Sequence, residues 1–224
     1  MVGAEETPAV VLLTRAPSSG GKSRLFASLG TPPDPALLSA LLLDTLDGIA
    51  DPAWQRIVAV TPPDACEEIR ALVPADVHVI AQPSGTLGAR MRALMEAAID
   101  PAREGRLRPV AVIGSDLPAM TPRRIGEAFA ALARTPDALV IGPAVDGGYY
   151  LIAAARVPEV FADIDWGTPA VLEQTCAAAG RLRLQVQLLD AMADVDTMDD
   201  LRRLPVSARR TRAWAQATGL VGSS

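Results

Sequence analysis

The chain has 224 residues, of which half are hydrophobic and 21% are charged, a balance that suits one mixed globular domain with its own core. Its formal net charge of −5 argues against a general nucleic-acid binder, because such proteins use a basic face to neutralise phosphates. The single histidine, His78, rules out a multi-histidine zinc site and argues against a Ser-His-Asp triad.

The location of the protein in the cell is predicted from the targeting signals that its sequence lacks. No apolar run reaches the roughly 18 residues that a membrane helix needs. The acidic residues 1–8 lack the basic region of a signal peptide. Cys66 and Cys176 lie far apart and fit no metal-binding spacing, so a reducing compartment is expected. We therefore expect a cytoplasmic protein that has neither a membrane nor a nucleic acid as its partner.

The predicted elements alternate between strands and helices along the chain. Short apolar runs that end at Gly or Pro predict strands, and apolar residues at helical spacing predict helices. The first half is predicted to contain strands at 10–13, 57–60 and 77–81 and helices at 35–49, 66–72 and 89–99. The second half is predicted to contain strands at 110–113, 139–141, 149–152 and 184–189, helices that begin after Thr121, Thr168 and Thr197, and a surface helix after Pro205.

This alternation predicts the α/β class, here a single three-layer αβα domain with a mostly parallel sheet. The domain is expected to occupy residues 1–205, and residues 206–224 are expected to form a C-terminal helix or tail. Ligands of such sheets bind outside the carboxyl ends of the strands, so the loops that follow the strands are where the chemistry is expected.

The loop after the first strand has the composition of a polyphosphate-binding loop. It begins at Arg15, ends at Arg24 and contains Gly20, Gly21 and Lys22. Glycines allow the backbone and its N–H groups to approach a phosphate closely, and the three cations supply the opposite charge. The competing interpretation is an ordinary flexible surface loop.

The same segment also fits a relaxed Walker A motif, with the Gly-Lys-Ser ending at residues 21–23 and a candidate Walker B strand at 110–116. Two features argue against a P-loop. Ala16 stands where the motif has its first glycine, and alanine lacks that residue's backbone freedom. Gly30 and the two prolines soon after it cut short the helix whose N-terminus would have to hold the phosphates.

Two groups of aspartates are candidate ligands for a hard cation. Asp116 follows the strand predicted at 110–113, and Mg²⁺ favours one or two carboxylates together with phosphate oxygens and water. Asp194 and Asp196 are two residues apart, so in an extended segment both carboxylates lie on the same side. Each group has an alternative role, as a cap of the turn or helix that follows it.

Residues 142–150 read Gly-Pro-Ala-Val-Asp-Gly-Gly-Tyr-Tyr and lie between two predicted strands. A hairpin turn alone would explain the Asp-Gly-Gly sequence, and the two tyrosines would then belong to the core. The alternative is a loop in which Asp146 and its neighbours line the site of an acceptor molecule. Both interpretations stay open at the level of the sequence.

Taken together, these segments resemble the GT-A-fold family known as DUF2064, also called the radical-SAM/selenodomain-associated transferase 1 family. The Gly-Pro-Ala-x-Asp-Gly-Gly-Tyr-Tyr-Leu run is quite specific, whereas Ser23 stands where Thr is commoner. The matching stretches are residues 17–25, 82–90, 114–118, 142–152, 163–168 and 194–201. More distantly, the chain is similar to the phospholactate and phosphoenolpyruvate guanylyltransferases of F420 biosynthesis and to molybdenum-cofactor guanylyltransferase. The F420 enzymes lack the Asp-Gly-Gly-Tyr-Tyr run, so their acceptors are not transferred to this chain.

The resemblance implies a nucleotide-diphospho-sugar-transferase fold that binds a nucleotide and a small-molecule acceptor, and it leaves a homodimer open. Asp116 matches the metal-binding aspartate of the fold, and Asp196 matches the second metal carboxylate of related nucleotidyltransferases, so the implied cofactor is Mg²⁺ or Mn²⁺. The residues implied to hold the phosphates are Arg15, Pro17, Gly20, Gly21, Lys22 and Ser23, and Ser115 is implied to contact the nucleotide. Those implied to hold the base and ribose are Gln82, Gly85, Leu87, Gly88 and Arg90.

The leading hypothesis is nucleotidyl transfer, in which an acceptor phosphate or carboxylate attacks the α-phosphorus and pyrophosphate leaves. Lys22, Arg15 and Arg24 would then neutralise the charge that builds on the leaving group. The alternative is glycosyl transfer from a nucleotide sugar, whose hydroxyl acceptor would need a carboxylate base such as Asp146 or Asp165. A P-loop kinase and a nucleotide-binding regulator without catalysis are further hypotheses.

Overall fold

The computed structural model describes residues 7–99 and 108–220, and within them seven strands form one sheet. The strands are β1 (Ala9–Arg15), β2 (Gln55–Thr61), β3 (His78–Ala81), β4 (Val110–Gly114), β5 (Leu139–Pro143), β6 (Tyr149–Ala154) and β7 (Val186–Leu188). The helices are α1 (Ser23–Leu29), α2 (Pro35–Gly48), α3 (Cys66–Leu72), α4 (Leu87–Ile99), α5 (Pro122–Arg134), α6 (Val171–Arg181), α7 (Met198–Arg202) and α8 (Arg209–Ala217). The predicted α/β class is confirmed. Residues 1–6 of the acidic N-terminal stretch and residues 221–224 of the predicted C-terminal tail lie outside the described residues.

The strands lie in the order β3-β2-β1-β4-β6-β5-β7. Among these strands only β6 is antiparallel to its neighbours, and the other pairs are parallel. The register places Arg15 at the end of β1 beside Thr61 at the end of β2. The carboxyl ends of β1 to β5 and the start of β6 therefore meet at one edge of the sheet, which is where ligands of such sheets bind.

Apolar side chains cover both faces of the sheet. Along β1, Val10 and Leu12 belong to one core cluster and Ala9 and Val11 to another, the alternation expected of a strand that is buried on both sides. The first cluster packs α2, α3 and α5 against the sheet, and the second packs α4 and α6 against the opposite face. A third cluster joins α1, α2, α7 and α8.

Several element boundaries differ from the prediction by one to a few residues, and two of these differences have a structural explanation. Helix α6 begins at Val171 instead of directly after Thr168, because residues 168–170 form a turn in which the Thr168 hydroxyl donates to the carbonyl of Asp165 at 2.8 Å. Strand β7 is shorter than the predicted 184–189, because only three of its residues pair with β5.

Three other features of the described residues bear on the predictions. His78 lies on an exposed position of β3, as predicted for a polar strand residue. Thr197 and Asp200 form the predicted capping box at the start of α7. Within residues 7–99 and 108–220, no helix has the length and apolar character that crossing a membrane would require.

The C-terminal helix α8 is attached to α2 by buried hydrogen bonds. The Asp44 side chain, which is 1% exposed, accepts hydrogen bonds from the backbone N–H groups of Arg210 at 3.2 Å and Thr211 at 2.8 Å and from the Thr211 hydroxyl at 2.8 Å. At the other end of α2, Trp214 donates to Asp34 at 2.6 Å. Helix α8 therefore shares the core of α2, and the domain boundary at residue 205 stays a prediction.

Asp44→Ala should destabilise the protein strongly, since it leaves buried donors of α8 without an acceptor. We expect it to lower the free energy of unfolding by about 3 kcal/mol in a urea titration. Asp47→Ala is the matched control, because Asp47 also pairs with Arg210 but its side chain is 58% exposed. Equal losses in the two variants would show that α8 is held by something other than Asp44.

Candidate active site

Asp116 is held in place by a helix on one face of the sheet. The residue lies in the turn after β4, and the buried Thr45 of α2 supports this turn on both sides of it. The Thr45 hydroxyl donates to the carbonyl of Ser115 at 3.1 Å and accepts a hydrogen bond from the N–H of Leu117 at 3.0 Å. The Asp116 side chain remains 29% exposed, so its carboxylate is available to a ligand.

The second acidic segment is joined to the first through the backbone. The N–H of Val195 donates to the carbonyl of Asp116 at 3.1 Å, and the Val195 side chain is buried in the third core cluster. Asp200, a member of the capping box of α7, accepts from the N–H of Asp196 at 3.1 Å. These bonds place Asp194 and Asp196 beside Asp116, and one carboxylate oxygen of each lies within 4.8 Å of the others.

Lys22 lies in the centre of this acidic cluster. Its ammonium contacts Asp116 and Asp196 directly and lies 3.6 Å from Asp194, while its side chain is only 12% exposed. Its backbone has φ of +49°, a left-handed conformation that is uncommon for a residue with a side chain. Burial by itself lowers the pKa of Lys22, but the pairs with Asp116 and Asp196 outweigh it and raise the pKa, so the group is charged at neutral pH.

Asp194 is the carboxylate that this arrangement leaves least well neutralised. Burial is the largest cause that raises its pKa, and repulsion from Asp116 is the next largest. Attraction to Lys22 lowers the pKa, and the resulting value is about 6. The cluster thus holds three carboxylates against one ammonium. Carboxylate oxygens at this spacing are the ligand type that Mg²⁺ and Mn²⁺ prefer, so the described residues fit a hard divalent cation.

Two cavities share Asp116 in their linings. The smaller, of about 230 Å³, is lined among others by Arg15, Gly20, Gly21, Lys22 and Ser115. The larger, of about 300 Å³, is lined among others by Arg24, Leu87, Asp146, Tyr149, Trp166 and Asp194. The structure therefore separates the three predicted cations, because Arg15 and Lys22 face the smaller cavity and Arg24 faces the larger one.

The loop that leads to Lys22 is tethered to α3. Glu68 accepts a hydrogen bond from the N–H of Ser18 at 3.0 Å and contacts the Ser18 hydroxyl. Pro17 is buried and Ser23 is exposed, and neither lines the smaller cavity. Helix α1, which follows, has only seven residues and ends at Gly30, as the argument against a P-loop anticipated.

The five residues implied to hold base and ribose have different surroundings in the structure. The amide nitrogen of Gln82 donates to the carbonyls of Thr14 at 2.8 Å and Ala59 at 2.9 Å, so this side chain joins neighbouring strands. Gly88 packs against Trp166, and a Cβ at its position would lie 2.6 Å from the indole ring. Arg90 donates to the carbonyl of Gly85 at 2.9 Å, and Leu87 lines the larger cavity. Their contact with a nucleotide stays a prediction.

The two candidate bases also differ in their positions. Asp146 is exposed and lines the larger cavity. Asp165 does not line it, and its carboxylate accepts from the side-chain amide of Gln174 at 2.8 Å. Of the two candidate bases, Asp146 therefore lines the larger cavity beside the acidic cluster, and Asp165 does not.

The sequence did not point to Thr45 or Trp166 as site residues, and it indicated Asp194 only as a candidate cation ligand. Thr45 was one of several residues at helical spacing, so nothing in the sequence separated it from core positions. Trp166 lies in a stretch that matches the DUF2064 pattern, and this was the one signal that pointed toward it.

A family described as "Uncharacterized protein conserved in bacteria (DUF2064)" matches residues 45–168. The chain is 33% identical over 162 residues to 3-phospho-D-glycerate guanylyltransferase from Phenylobacterium zucineum (strain HLK1), a match that covers 70% of this chain and 68% of that protein.

Solved structures share the fold. One match is a protein from Desulfovibrio desulfuricans G20 that is described as a nucleotide-diphospho-sugar transferase. Its structure matches with a TM-score of 0.82 and 27% identity, over 96% of each chain. CMP:2-keto-3-deoxy-manno-octonic acid synthetase, solved with CTP, matches with a TM-score of 0.54 and 14% identity, over 94% of this chain and 99% of that one. The second match shows likeness of fold alone.

The raised pKa of Asp194 predicts a pH-dependent difference between the wild type and Asp194→Asn in the absence of divalent cations. The folded protein favours the protonated carboxyl, so the contribution of Asp194 to stability falls as the pH rises from about 3.8 through about 6, whereas asparagine does not titrate. The variant should therefore gain stability relative to the wild type across this window, as measured by urea unfolding in a chelator. A pH-independent difference for Asp194→Asn would contradict the prediction.

Proposed function

The chain belongs to the DUF2064 family, and on that premise we propose that it is a divalent-cation-dependent nucleotidyltransferase. It is a transferase with the nucleotide-diphospho-sugar-transferase fold. In the proposed reaction, a nucleoside monophosphate passes from a nucleoside triphosphate to a small phosphorylated or carboxylated acceptor, and pyrophosphate is released. The guanylyltransferase from Phenylobacterium zucineum supports this reaction class and makes GTP the first nucleotide to test.

The observation that carries the proposal is the position of Asp116 in the linings of both cavities. A transfer between two substrates needs them side by side, with the reacting atoms at their junction. The smaller cavity has the glycines and cations that suit a triphosphate, with contributions proposed from Arg15, Gly20, Gly21, Lys22 and Ser115. The larger cavity would then hold the acceptor.

Further contacts with the nucleotide are proposed outside the smaller cavity. Pro17 and Ser23 would shape the phosphate loop at its two ends. The base and ribose would lie along residues 82–90, where the proposed contacts are Gln82, Gly85, Leu87, Gly88 and Arg90. Because both amide hydrogens of Gln82 have backbone acceptors, its contribution would be to hold the strand ends in position for the nucleotide.

Asp116 and Asp196, with Asp194 beside them, are the residues proposed to hold the cation, which we propose to be Mg²⁺ or Mn²⁺. When bound, such an ion would offset the negative charge of phosphate oxygens and polarise them as a Lewis acid. The Lys22 ammonium already contacts Asp116 and Asp196, which supports a preference of this position for positive charge.

In the proposed step, an oxygen of the acceptor phosphate forms a bond to the α-phosphorus, and the bond from that phosphorus to the α,β-bridging oxygen breaks. The electron pair leaves with pyrophosphate. Lys22 and Arg15 would stabilise the charge that develops on this leaving group, and Arg24 would act on the acceptor side. An acceptor phosphate has a second pKa of about 6, so it reacts as an anion at neutral pH without a general base.

Glycosyl transfer is the second candidate, and the exposed carboxylate of Asp146 in the larger cavity favours it. In that reaction Asp146 would accept the proton of an acceptor hydroxyl as the hydroxyl oxygen forms a bond to the anomeric carbon of the sugar. The bond from that carbon to the phosphate oxygen of the nucleotide would break. The products differ, because glycosyl transfer releases a nucleoside phosphate that keeps its own phosphates, whereas nucleotidyl transfer releases pyrophosphate.

The proposal is tested first by ligand binding and then by turnover. The four nucleoside triphosphates and common nucleotide sugars are screened for a Mg²⁺-dependent rise in melting temperature, and pyrophosphate release is then assayed with phosphorylated and carboxylated acceptors. We expect a triphosphate to stabilise the protein and pyrophosphate to appear. Failure of every nucleotide to raise the melting temperature would refute the proposal.

Asp196→Asn should lower kcat/KM for pyrophosphate release by at least about a hundredfold, because it removes a proposed cation ligand. Asp199→Asn is the matched control. It makes the same chemical change three residues away, at a side chain that is 62% exposed, and should change the rate less than about twofold. Equal effects of the two substitutions would remove Asp196 from the proposed site.

A further inference from the structure

The larger cavity has a wall made by two loops, residues 144–149 and 164–171, that lock together. Gly147, with φ of +91°, lies so close to the second loop that a Cβ there would be 2.2 Å from the carbonyl oxygen of Pro169. The carbonyl of Gly147 also accepts a hydrogen bond from the N–H of Leu172 at 3.0 Å. No side chain larger than hydrogen fits at Gly147, so the two loops pack directly against each other.

Aromatic side chains form the apolar part of this wall. Tyr149 and Trp166 meet edge to face, with ring centroids 6.3 Å apart and planes at 83°. Trp166 is supported from behind by Gly88. Both aromatic residues line the cavity and offer a rigid surface to the carbon skeleton of a small molecule.

Asp146 supplies a hydrogen-bond acceptor at the same wall. One carboxylate oxygen, Oδ1, accepts from the N–H of Gly148 at 2.9 Å, which fixes the orientation of the side chain. Within residues 7–99 and 108–220, the other oxygen has no hydrogen-bond or ion-pair partner, and the residue is exposed. An ionised carboxylate only accepts hydrogen bonds, so its free oxygen selects a donor such as a hydroxyl group.

Arg24 gives the cavity its positive charge. It is the one Lys or Arg among the described lining residues, and it forms no ion pair within the part of the chain that the structure describes. A guanidinium without a protein partner suits a phosphate or a carboxylate of a ligand. The cavity, at about 300 Å³, lies at the small end of ligand sites.

We infer that the acceptor is a small phosphomonoester that carries a free hydroxyl group, and that Asp146 selects it by accepting a hydrogen bond from that hydroxyl. Arg24 pairs with an anionic group of the acceptor, and Tyr149 and Trp166 pack against its carbon atoms. Asp146 is thereby a specificity-determining residue that takes up no proton. The inference rests on the proposed nucleotidyl transfer and adds the acceptor class.

Two pairs of acceptors that differ by hydroxyl groups test this inference. The first pair is 3-phospho-D-glycerate and 3-(phosphonooxy)propanoate, and the second is glycerol 3-phosphate and propyl phosphate. At least one of these pairs should serve as acceptors for the wild type. Within such a pair, kcat/KM for pyrophosphate release should be about ten- to a hundredfold higher for the compound with the hydroxyl group than for the compound without it. Equal rates within such a pair would overturn the inference, as would turnover with other acceptors but with none of these four.

The variant Asp146→Asn tests whether the Asp146 side chain causes the preference for hydroxylated acceptors. Asparagine keeps the Oδ1 acceptor for Gly148 but replaces the free oxygen by an amide that donates, so the preference should fall to within about threefold. The loss should appear in the KM of the hydroxylated acceptor, with the KM of the nucleotide unchanged. Asp137→Asn is the control, since its side chain is 76% exposed and pairs with Arg156 away from the cavity.

The outcomes separate this inference from the proposed function. A fall in kcat with all acceptors in Asp146→Asn would point to a general base or a structural role and would overturn the inference. Because the wild-type preference needs no variant, a misfolded Asp146→Asn would leave the first test decisive. Absence of pyrophosphate release with every acceptor and nucleotide would instead refute nucleotidyl transfer itself.

Discussion

The ion pairs of Lys22 with Asp116 and Asp196 join segments that are up to 174 residues apart in the chain. The hydrogen bond between Val195 and the carbonyl of Asp116 joins two of these segments again through the backbone. Without the ammonium, three carboxylates would face one another at short range, and their repulsion would oppose the folding of both loops. The left-handed backbone of Lys22 is the strain that accompanies this arrangement. Both cavities depend on it, since the cluster supplies residues to each of them.

Because the cations are divided between the two cavities, each of the two proposed substrates would meet its own positively charged side chains. Arg15 and Lys22 face the cavity that suits the triphosphate, whereas Arg24 faces the one that suits the acceptor. The two walls also differ in kind. The triphosphate side is a glycine-containing loop tethered through Ser18 to α3, and the acceptor side is a rigid pair of interlocked loops. The close packing of the two loops at the acceptor side supports a specificity that lies mainly in the acceptor.

Most of the fold was predictable because most of its strands are short apolar runs, and the carboxyl ends of parallel strands meet at one edge of a sheet. Sequence reasoning implied the nearness of Asp116 and Asp196 only through the family resemblance, which matches both residues to metal carboxylates. It could not find the support that Thr45 gives to the Asp116 turn, because that contact links residues 70 or more positions apart. It also placed the start of α6 too early, since Thr168 and Pro169 resemble a helix cap but form a turn next to Gly147. Such features depend on which distant segments pack together.

An isotope-transfer measurement tests nucleotidyl transfer at the Asp116 junction most directly. The nucleoside triphosphate that stabilises the protein is incubated with Mg²⁺ and with the phosphorylated acceptor that supports pyrophosphate release. The phosphate oxygens of this acceptor are labelled with ¹⁸O, and the products are identified by mass spectrometry. The account predicts a product that retains all of the acceptor's labelled oxygens and contains the nucleoside monophosphate, together with unlabelled pyrophosphate. Labelled phosphate released from the acceptor, or a nucleoside diphosphate as the leaving product, would contradict it.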